Sequence, residues 1–76
     1  MSDRLPRITA ADLLRALGRD GWQIVRQSGS HAAMKHAIKK GRVTVPIHAG
    51  MILKLTTLST ILDQAELTAD DLRKLL

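Results

Sequence analysis

RQSGSH, residues 26–31, ends one predicted strand, turns a corner at Gly29 and starts the next strand. The stretch lies inside a longer segment, residues 22–62, that holds six Lys or Arg residues, all three histidines and no carboxylate. A segment with this charge pattern is suited to meet an anion. The chain around it can therefore be interpreted as a scaffold that presents RQSGSH to a negatively charged partner.

Three strands are predicted around this corner. Before it, Trp22 and Ile24 alternate with their neighbours over residues 22–28, as in a half-buried strand. After it, residues 30–36 form the second strand, with His31 and Lys35 on the same face because side chains two or four positions apart point the same way. Apolar and polar residues alternate over residues 42–47, and Pro46 favours an edge or a strand end.

Helices are predicted on both sides of the strands. Thr9 and Asp12 have the spacing of a capping box, and Gly21 is a natural stop for the helix that follows. Thr56 or Thr57 is expected to cap a second helix, and Thr68 to cap a short third one. The order is typical of an α+β fold, α-β-β-β-α(-α), with three antiparallel strands and two main helices.

Length and composition limit what the chain can be. Its 76 residues suffice for one domain, residues 1–76, and a domain of this size buries only about 60% of its unfolded surface. Residues 1–7 are expected to be flexible. There is no cysteine for a disulfide or thiolate site, and no stretch resembles a signal peptide or a membrane span. These features predict a soluble, cytoplasmic protein with no membrane partner.

Charge divides the chain into a basic body and an acidic end. Residues 1–54 carry ten Lys or Arg against three Asp, whereas residues 55–76 carry two against four acidic residues. This asymmetry indicates a polyanionic partner such as nucleic acid; the alternative is a basic surface that serves solubility. Trp22, the only aromatic residue, is expected in the core, which excludes an aromatic base-stacking platform.

His31 is the residue best suited to catalysis. Its imidazole can take and give a proton near neutral pH, and the small residues before it would let a phosphate backbone approach. The alternative is a packed or solvated imidazole without chemistry. A metal site would need His31, His36 and His48 together, but the first two should point to opposite faces of their strand, and no carboxylate lies nearby to complete a serine triad. We therefore predict neither a metal nor a cofactor.

The basic residues that follow have a simpler interpretation. Lys35, Lys39, Lys40, Arg42 and Lys54 could bind phosphates and supply affinity with little sequence selectivity. The alternative is a solvated hairpin tip.

Several motifs together resemble the HicA (YcfA-like) toxin family. They are RQSGSH at 26–31, VTVPIH at 43–48, the helix residues ILDQA at 61–65 and the helix start at Leu67-Thr68. The resemblance covers residues 9 to 76. It implies a double-stranded-RNA-binding-like fold and a toxin of a type II toxin–antitoxin pair that cleaves mRNA and is neutralised by a HicB-type antitoxin. It also implies that His31 is the catalytic residue.

The resulting hypothesis is a metal-independent endoribonuclease with His31 as general acid/base. Lys35 is expected to stabilise the reacting phosphate, with Arg26 as the second choice and His48 as a possible acid. The predicted RNA-binding residues are Arg26, Gln27, Ser30, Lys35, Lys39, Lys40, Arg42, His48 and Lys54. A non-catalytic RNA-binding module of the same fold is the alternative, and a third possibility is that the basic surface mainly binds an acidic antitoxin.

Overall fold

The computed structural model describes residues 4–76. The elements in chain order are α1 (Ala10–Asp20), β1 (Trp22–Ser28), β2 (His31–His36), β3 (Val43–Pro46), α2 (Leu55–Ala65) and α3 (Ala69–Leu75). The strands form one antiparallel sheet in the order β1-β2-β3. The predicted α+β class and element order are confirmed.

Local capping chemistry sets the ends of α1. Thr9 and Asp12 form the predicted capping box, in which each side chain accepts a hydrogen bond from the other residue's backbone N–H at 3.2 Å. The N–H of Thr9 holds the pKa of the Asp12 carboxyl below its usual value. At the other end Gly21 adopts a left-handed conformation with φ 109°, and its N–H donates to the Gly18 carbonyl. Thr68 and Asp71 repeat the capping box at α3, as predicted.

A two-residue loop joins β1 to β2. Ser28 pairs with His31, so only Gly29 and Ser30 lie between the strands. Gly29 has φ 56° whereas Ser30 does not adopt a positive φ, the pattern of a type II′ turn, whose first central position favours glycine. Ile47 donates its N–H to the Ser30 carbonyl at 2.5 Å. This bond ties the turn to the chain just beyond β3.

A β-bulge interrupts β1. Ile24 pairs with Met34 and Arg26 with Ala33, which leaves Val25 as an extra residue. A bulge of this kind bends the strand and changes the direction of the side chains that follow. With regular pairing from Ile24 onward, Arg26 would oppose Ala32; the bulge instead places it opposite Ala33.

The helices cover one face of the sheet and form the core with it. The buried residues of the sheet face are Trp22, Ala32, Met34, Val43 and Val45, and the largest fully buried helix side chains are Leu13, Leu17, Leu58 and Leu72. Burying a side chain of this size contributes roughly 1.5–3 kcal/mol. Trp22 lies in the core as predicted.

The start of α2 differs from the prediction. The helix begins at Leu55, so the cap position is Lys54, which makes no side-chain cap bond. The expectation of a cap at Thr56 or Thr57 is therefore wrong. The helix begins earlier because the preceding segment is anchored: Leu53 is buried and donates its N–H to the Ile8 carbonyl at 2.8 Å.

At the N-terminus, residues 1–3 lie outside the described residues, so the expectation of flexibility for residues 1–7 falls partly outside the structure. Leu5 packs against the core, and the Arg4 carbonyl accepts a hydrogen bond from the Arg73 guanidinium. Among residues 4–76 we find no helix with the length and apolar character needed to span a bilayer.

Candidate nucleic-acid interface and catalytic site

The face of the sheet opposite the helices is open. Strand partners that lie opposite each other share a face, so the register defines the members of this surface. We call it the open face; its residues are Gln23, Arg26, Ser28, His31, Ala33, Lys35, Thr44 and Pro46. All of them are exposed or half-buried. A ligand can therefore reach the open face without displacing a helix.

His31 lies on the middle strand of the sheet, β2, at one end of the open face. Ser28 is its neighbour on β1 and Pro46 its neighbour on β3. The imidazole is exposed, and within residues 4–76 no side chain or backbone group is hydrogen-bonded to it. Its two ring nitrogens are therefore available to a ligand.

Arg26 is closer to His31 than Lys35 is. Arg26 lies opposite Ala33, two residues from His31, and such diagonal neighbours are about 7–8 Å apart. Lys35 shares the face but lies four residues along the same strand, a separation of roughly 13 Å at about 3.3 Å per residue. The sequence suggested Lys35 as the first candidate to stabilise the reacting phosphate and Arg26 as the second. The structure places Arg26 nearer to His31, so Arg26 is the better placed cation.

The two other residues of the corner are placed differently. Gln27 pairs with Ala32, whose side chain is buried on the helix side, so Gln27 does not share the face of His31. Ser30 lies in the turn, next to His31 in the chain, and its carbonyl accepts a hydrogen bond from the Ile47 N–H. Of the two, Ser30 is the one that remains close to His31.

A cleft opens beside the open face on the β3 side. Its volume is about 250 Å³, and the residues that line it are Pro46, His48, Met51, Ile52, Leu53, Lys54 and Thr57. Pro46 belongs to both surfaces, because it is also the cross-strand neighbour of His31. The fold thus brings His48 and Lys54 to the wall of a cleft that begins at Pro46, the cross-strand neighbour of His31.

Lys39 does not lie on the open face. Its Nζ donates to the Asp20 carboxylate at 2.8 Å and to the Ala65 carbonyl at 2.9 Å, and it lies 3.5 Å from the Glu66 carbonyl oxygen. These carbonyls end α2, where a positive charge is favoured by the helix dipole. Lys39 therefore links the loop after β2 to the ends of α1 and α2.

The remaining predicted cations lie at the other end of the sheet. Lys40 is exposed in the loop between β2 and β3, and Arg42 is exposed directly before β3. Val43, the next residue after Arg42, pairs with Met34, which precedes Lys35. Arg42 and Lys35 therefore lie at the end of the open face that is distant from His31.

His36 has a structural role that the sequence did not reveal. Its Nδ1 accepts hydrogen bonds from the backbone N–H groups of Ile38 and Lys39, both at 3.0 Å. The proton must then be on Nε2, which donates to the Asp20 carbonyl at 2.7 Å. The ring also meets Trp22 edge-on, with the centroids 5.3 Å apart.

The three histidines do not converge. His31 lies on the open face, His36 on the helix side and His48 in the cleft. Within residues 4–76 no group of three or more His, Cys, Asp or Glu residues could hold a metal ion.

Sequence reasoning missed the apolar part of the cleft. Met51 and Ile52 are 64% and 45% exposed, although both are large hydrophobic residues. They follow a Gly50 corner in a segment with neither a clear helix period nor a strand period. The only signal in the sequence was this short apolar stretch between two better defined elements.

Comparison with known proteins identifies a family. A family model described as "HicA toxin of bacterial toxin-antitoxin" matches residues 10–67 of the 76. The matched region runs from α1 to the end of α2 and includes the open face and the cleft. No curated protein matches the chain significantly.

Proposed function

The chain belongs to the HicA toxin family of bacterial toxin–antitoxin systems, and on this premise we propose that it is a metal-independent endoribonuclease that cleaves mRNA and is neutralised by a HicB-type antitoxin. The observation that carries the proposal is the exposed imidazole of His31, which has no partner among residues 4–76 and lies diagonal to Arg26 on a face free of helices. The family membership itself supports the toxin role.

His31 acts as the general base in this proposal. One ring nitrogen takes the proton of an RNA 2′-hydroxyl, and the 2′ oxygen attacks the adjacent phosphorus. The bond from phosphorus to the 5′ oxygen breaks, leaving a 2′,3′-cyclic phosphate on one fragment and a 5′-hydroxyl on the other. General acid–base catalysis of this kind contributes typically 10²–10⁴-fold to the rate.

Arg26 supplies the positive charge for the phosphate. Negative charge grows on the non-bridging oxygens as the 2′ oxygen attacks, and a guanidinium fixed beside them stabilises it. His48 is the candidate acid that protonates the leaving 5′ oxygen, because it lies only two residues beyond Pro46, the neighbour of His31.

The RNA backbone is expected to run along the open face. Lys35 and Arg42 would hold phosphates at one end, and Ser30 and Lys54 lie toward the other. Lys40 is free to add a contact from its loop, whereas the Lys39 ammonium is already bound within the protein. We therefore leave Lys39 out of the proposed RNA-binding surface.

The test is RNA cleavage by His31→Ala in the presence of a chelator. We expect the variant to fold, because the side chain is exposed, to bind RNA with similar salt dependence, and to cleave at least about 100-fold more slowly. Gln64→Ala, a variant at an exposed α2 residue on the helix side of the sheet, serves as the matched control. Undiminished cleavage by folded His31→Ala would reject the mechanism.

Intact RNA after incubation with the wild-type protein, despite salt-sensitive binding, would instead indicate a non-catalytic RNA-binding module.

A further inference from the structure

The cleft beside β3 has exposed apolar side chains to which the proposed cleavage mechanism gives no role. Its walls combine exposed apolar side chains, Met51 and Ile52, with polar groups on Thr57 and His48 and the ammonium of Lys54. Large hydrophobic side chains exposed together, with polar groups around them, mark binding sites more often than chance surface positions. Resting on the proposed function, we propose that this cleft binds the nucleobase next to the cleaved phosphate and thereby sets the sequence preference of cleavage.

Position is the first argument. Pro46 forms one wall of the cleft and lies directly opposite His31 in the register, so the cleft begins about one strand spacing, roughly 5 Å, from the catalytic residue. A nucleotide whose phosphate lies at His31 would have its base within reach of this opening.

Size and chemistry are the second argument. At about 250 Å³ the cleft is smaller than pockets for drug-sized ligands, which run from about 300 to 1,000 Å³, and it suits a single flat ring system. A base taken out of a stack is held between apolar or aromatic side chains and read through its polar edge. Because residues 4–76 offer no exposed Phe, Tyr or Trp ring, the polarisable thioether of Met51 would take that place.

The polar groups of the cleft complete the site. Thr57 offers a hydroxyl that can donate to and accept from a base edge, while the ring of His48, the candidate acid, lines the same cleft. Lys54 at the rim can meet the next phosphate along the chain. A site built to hydrogen-bond one base edge discriminates against bases that lack the matching groups.

Methionine methyl signals give a direct test in the inactive His31→Ala protein. The chain has three methionines, of which Met34 is buried in the core and Met51 lies in the cleft. With methyl-labelled methionine, we expect tetranucleotides of A, C, G or U to shift the Met51 signal to extents that differ between bases. The Met34 signal should stay in place and serves as the internal control.

A second measurement uses the active protein. Met51→Ala should change the base preference next to the cut by roughly 10-fold, as read from sequenced cleavage ends of a mixed-sequence RNA, while total cleavage changes less. Ile38→Ala removes a matched exposed hydrophobic side chain, 85% exposed and outside the cleft, and should leave the preference unchanged.

The outcomes separate this inference from the proposed function. RNA that binds and is cleaved by the wild type, with an unmoved Met51 signal and an unchanged preference in Met51→Ala, would overturn the cleft proposal alone. Failure of the wild type to bind or cleave any RNA would overturn both. A Met51 shift produced by the purified antitoxin but by none of the four tetranucleotides would assign the cleft to protein docking and likewise overturn the proposal.

Discussion

Replacing Gly21 by alanine should be the most destabilising glycine substitution in this chain. Gly21 ends α1 with φ 109°, and a Cβ built there would lie 2.7 Å from Nε2 of His36. The backbone conformation alone costs an L-residue about 1–2 kcal/mol. The His36 ring would also have to move, which breaks its 2.7 Å hydrogen bond to the Asp20 carbonyl and costs about 0.5–1.5 kcal/mol more.

The expected sum is a loss of about 1.5–3.5 kcal/mol in the free energy of unfolding. For a domain of this size that corresponds to a fall of roughly 6–28 °C in Tm. Thermal and urea unfolding followed by circular dichroism would measure it.

Two other glycines provide matched controls. Gly29 has φ 56° but no heavy atom within 4 Å of an added Cβ, so Gly29→Ala should cost only the backbone part, about 1–2 kcal/mol. Gly18 lies inside α1 with equally open surroundings, so Gly18→Ala should stabilise the protein by roughly 0.5–1 kcal/mol. The expected order of stability is Gly18→Ala, wild type, Gly29→Ala, Gly21→Ala.

A double-mutant cycle isolates the contact with the ring. In the His36→Ala background the added Cβ has room, so Gly21→Ala should cost about 1 kcal/mol less than it does in the wild type. The reasoning would be refuted if Gly21→Ala cost no more than Gly29→Ala, or if the cycle showed no coupling between the two positions.

Three further predictions follow from the site and its supports. Arg26→Gln should lower the single-turnover rate of RNA cleavage by about 10-fold or more, whereas Lys35→Gln should mainly weaken binding and reduce its salt dependence; equal effects on the rate would contradict the assigned geometry. Lys39→Gln should reduce the free energy of unfolding by about 1–2 kcal/mol, because a carboxylate and a carbonyl lose their charged donor, while Lys40→Gln should leave it unchanged in the same urea titration. The backbone N–H of Thr68, the N-cap of α3, lowers the pKa of the Asp71 carboxyl below its ordinary value of 3.8. The Asp71 carboxylate therefore stabilises the fold above pH 3.8, and this contribution is lost as the pH falls through the lowered pKa. Asp71→Asn should be less stable than wild type at pH 6, and a deficit that persisted unchanged at pH 2 would contradict this account.

Local signals in the sequence were sufficient for much of the fold. The capping boxes at Thr9 and Thr68 depend on residues three positions apart, so the sequence shows both partners together. The corner at Gly29 needs only a residue that tolerates a positive φ. The faces of β2 follow from alternation, and the exposure of His31 opposite the buried side of Ala32 confirms them.

Features that depend on distant partners could not be predicted. Strict alternation would have put Arg26 on the face of Trp22, and only the pairing with β2 shows the extra residue that prevents this. The site of Lys39 needs the ends of two helices that lie far apart in the sequence. The start of α2 depends on the bond from Leu53 to Ile8, which no local cap signal reveals.

The bulge at Val25 also affects how the molecule meets other sheets. β1 is an outer strand of seven residues with two exposed hydrophobic side chains, Ile24 at 47% and Val25 at 54%. A straight strand of this kind would offer evenly spaced N–H and C=O groups to any extended chain and invite aggregation. The extra residue, Val25, breaks the even spacing of these backbone groups and twists the strand. The same bulge that places Arg26 on the face of His31 thus also keeps the β1 edge of the sheet from pairing with a fourth strand.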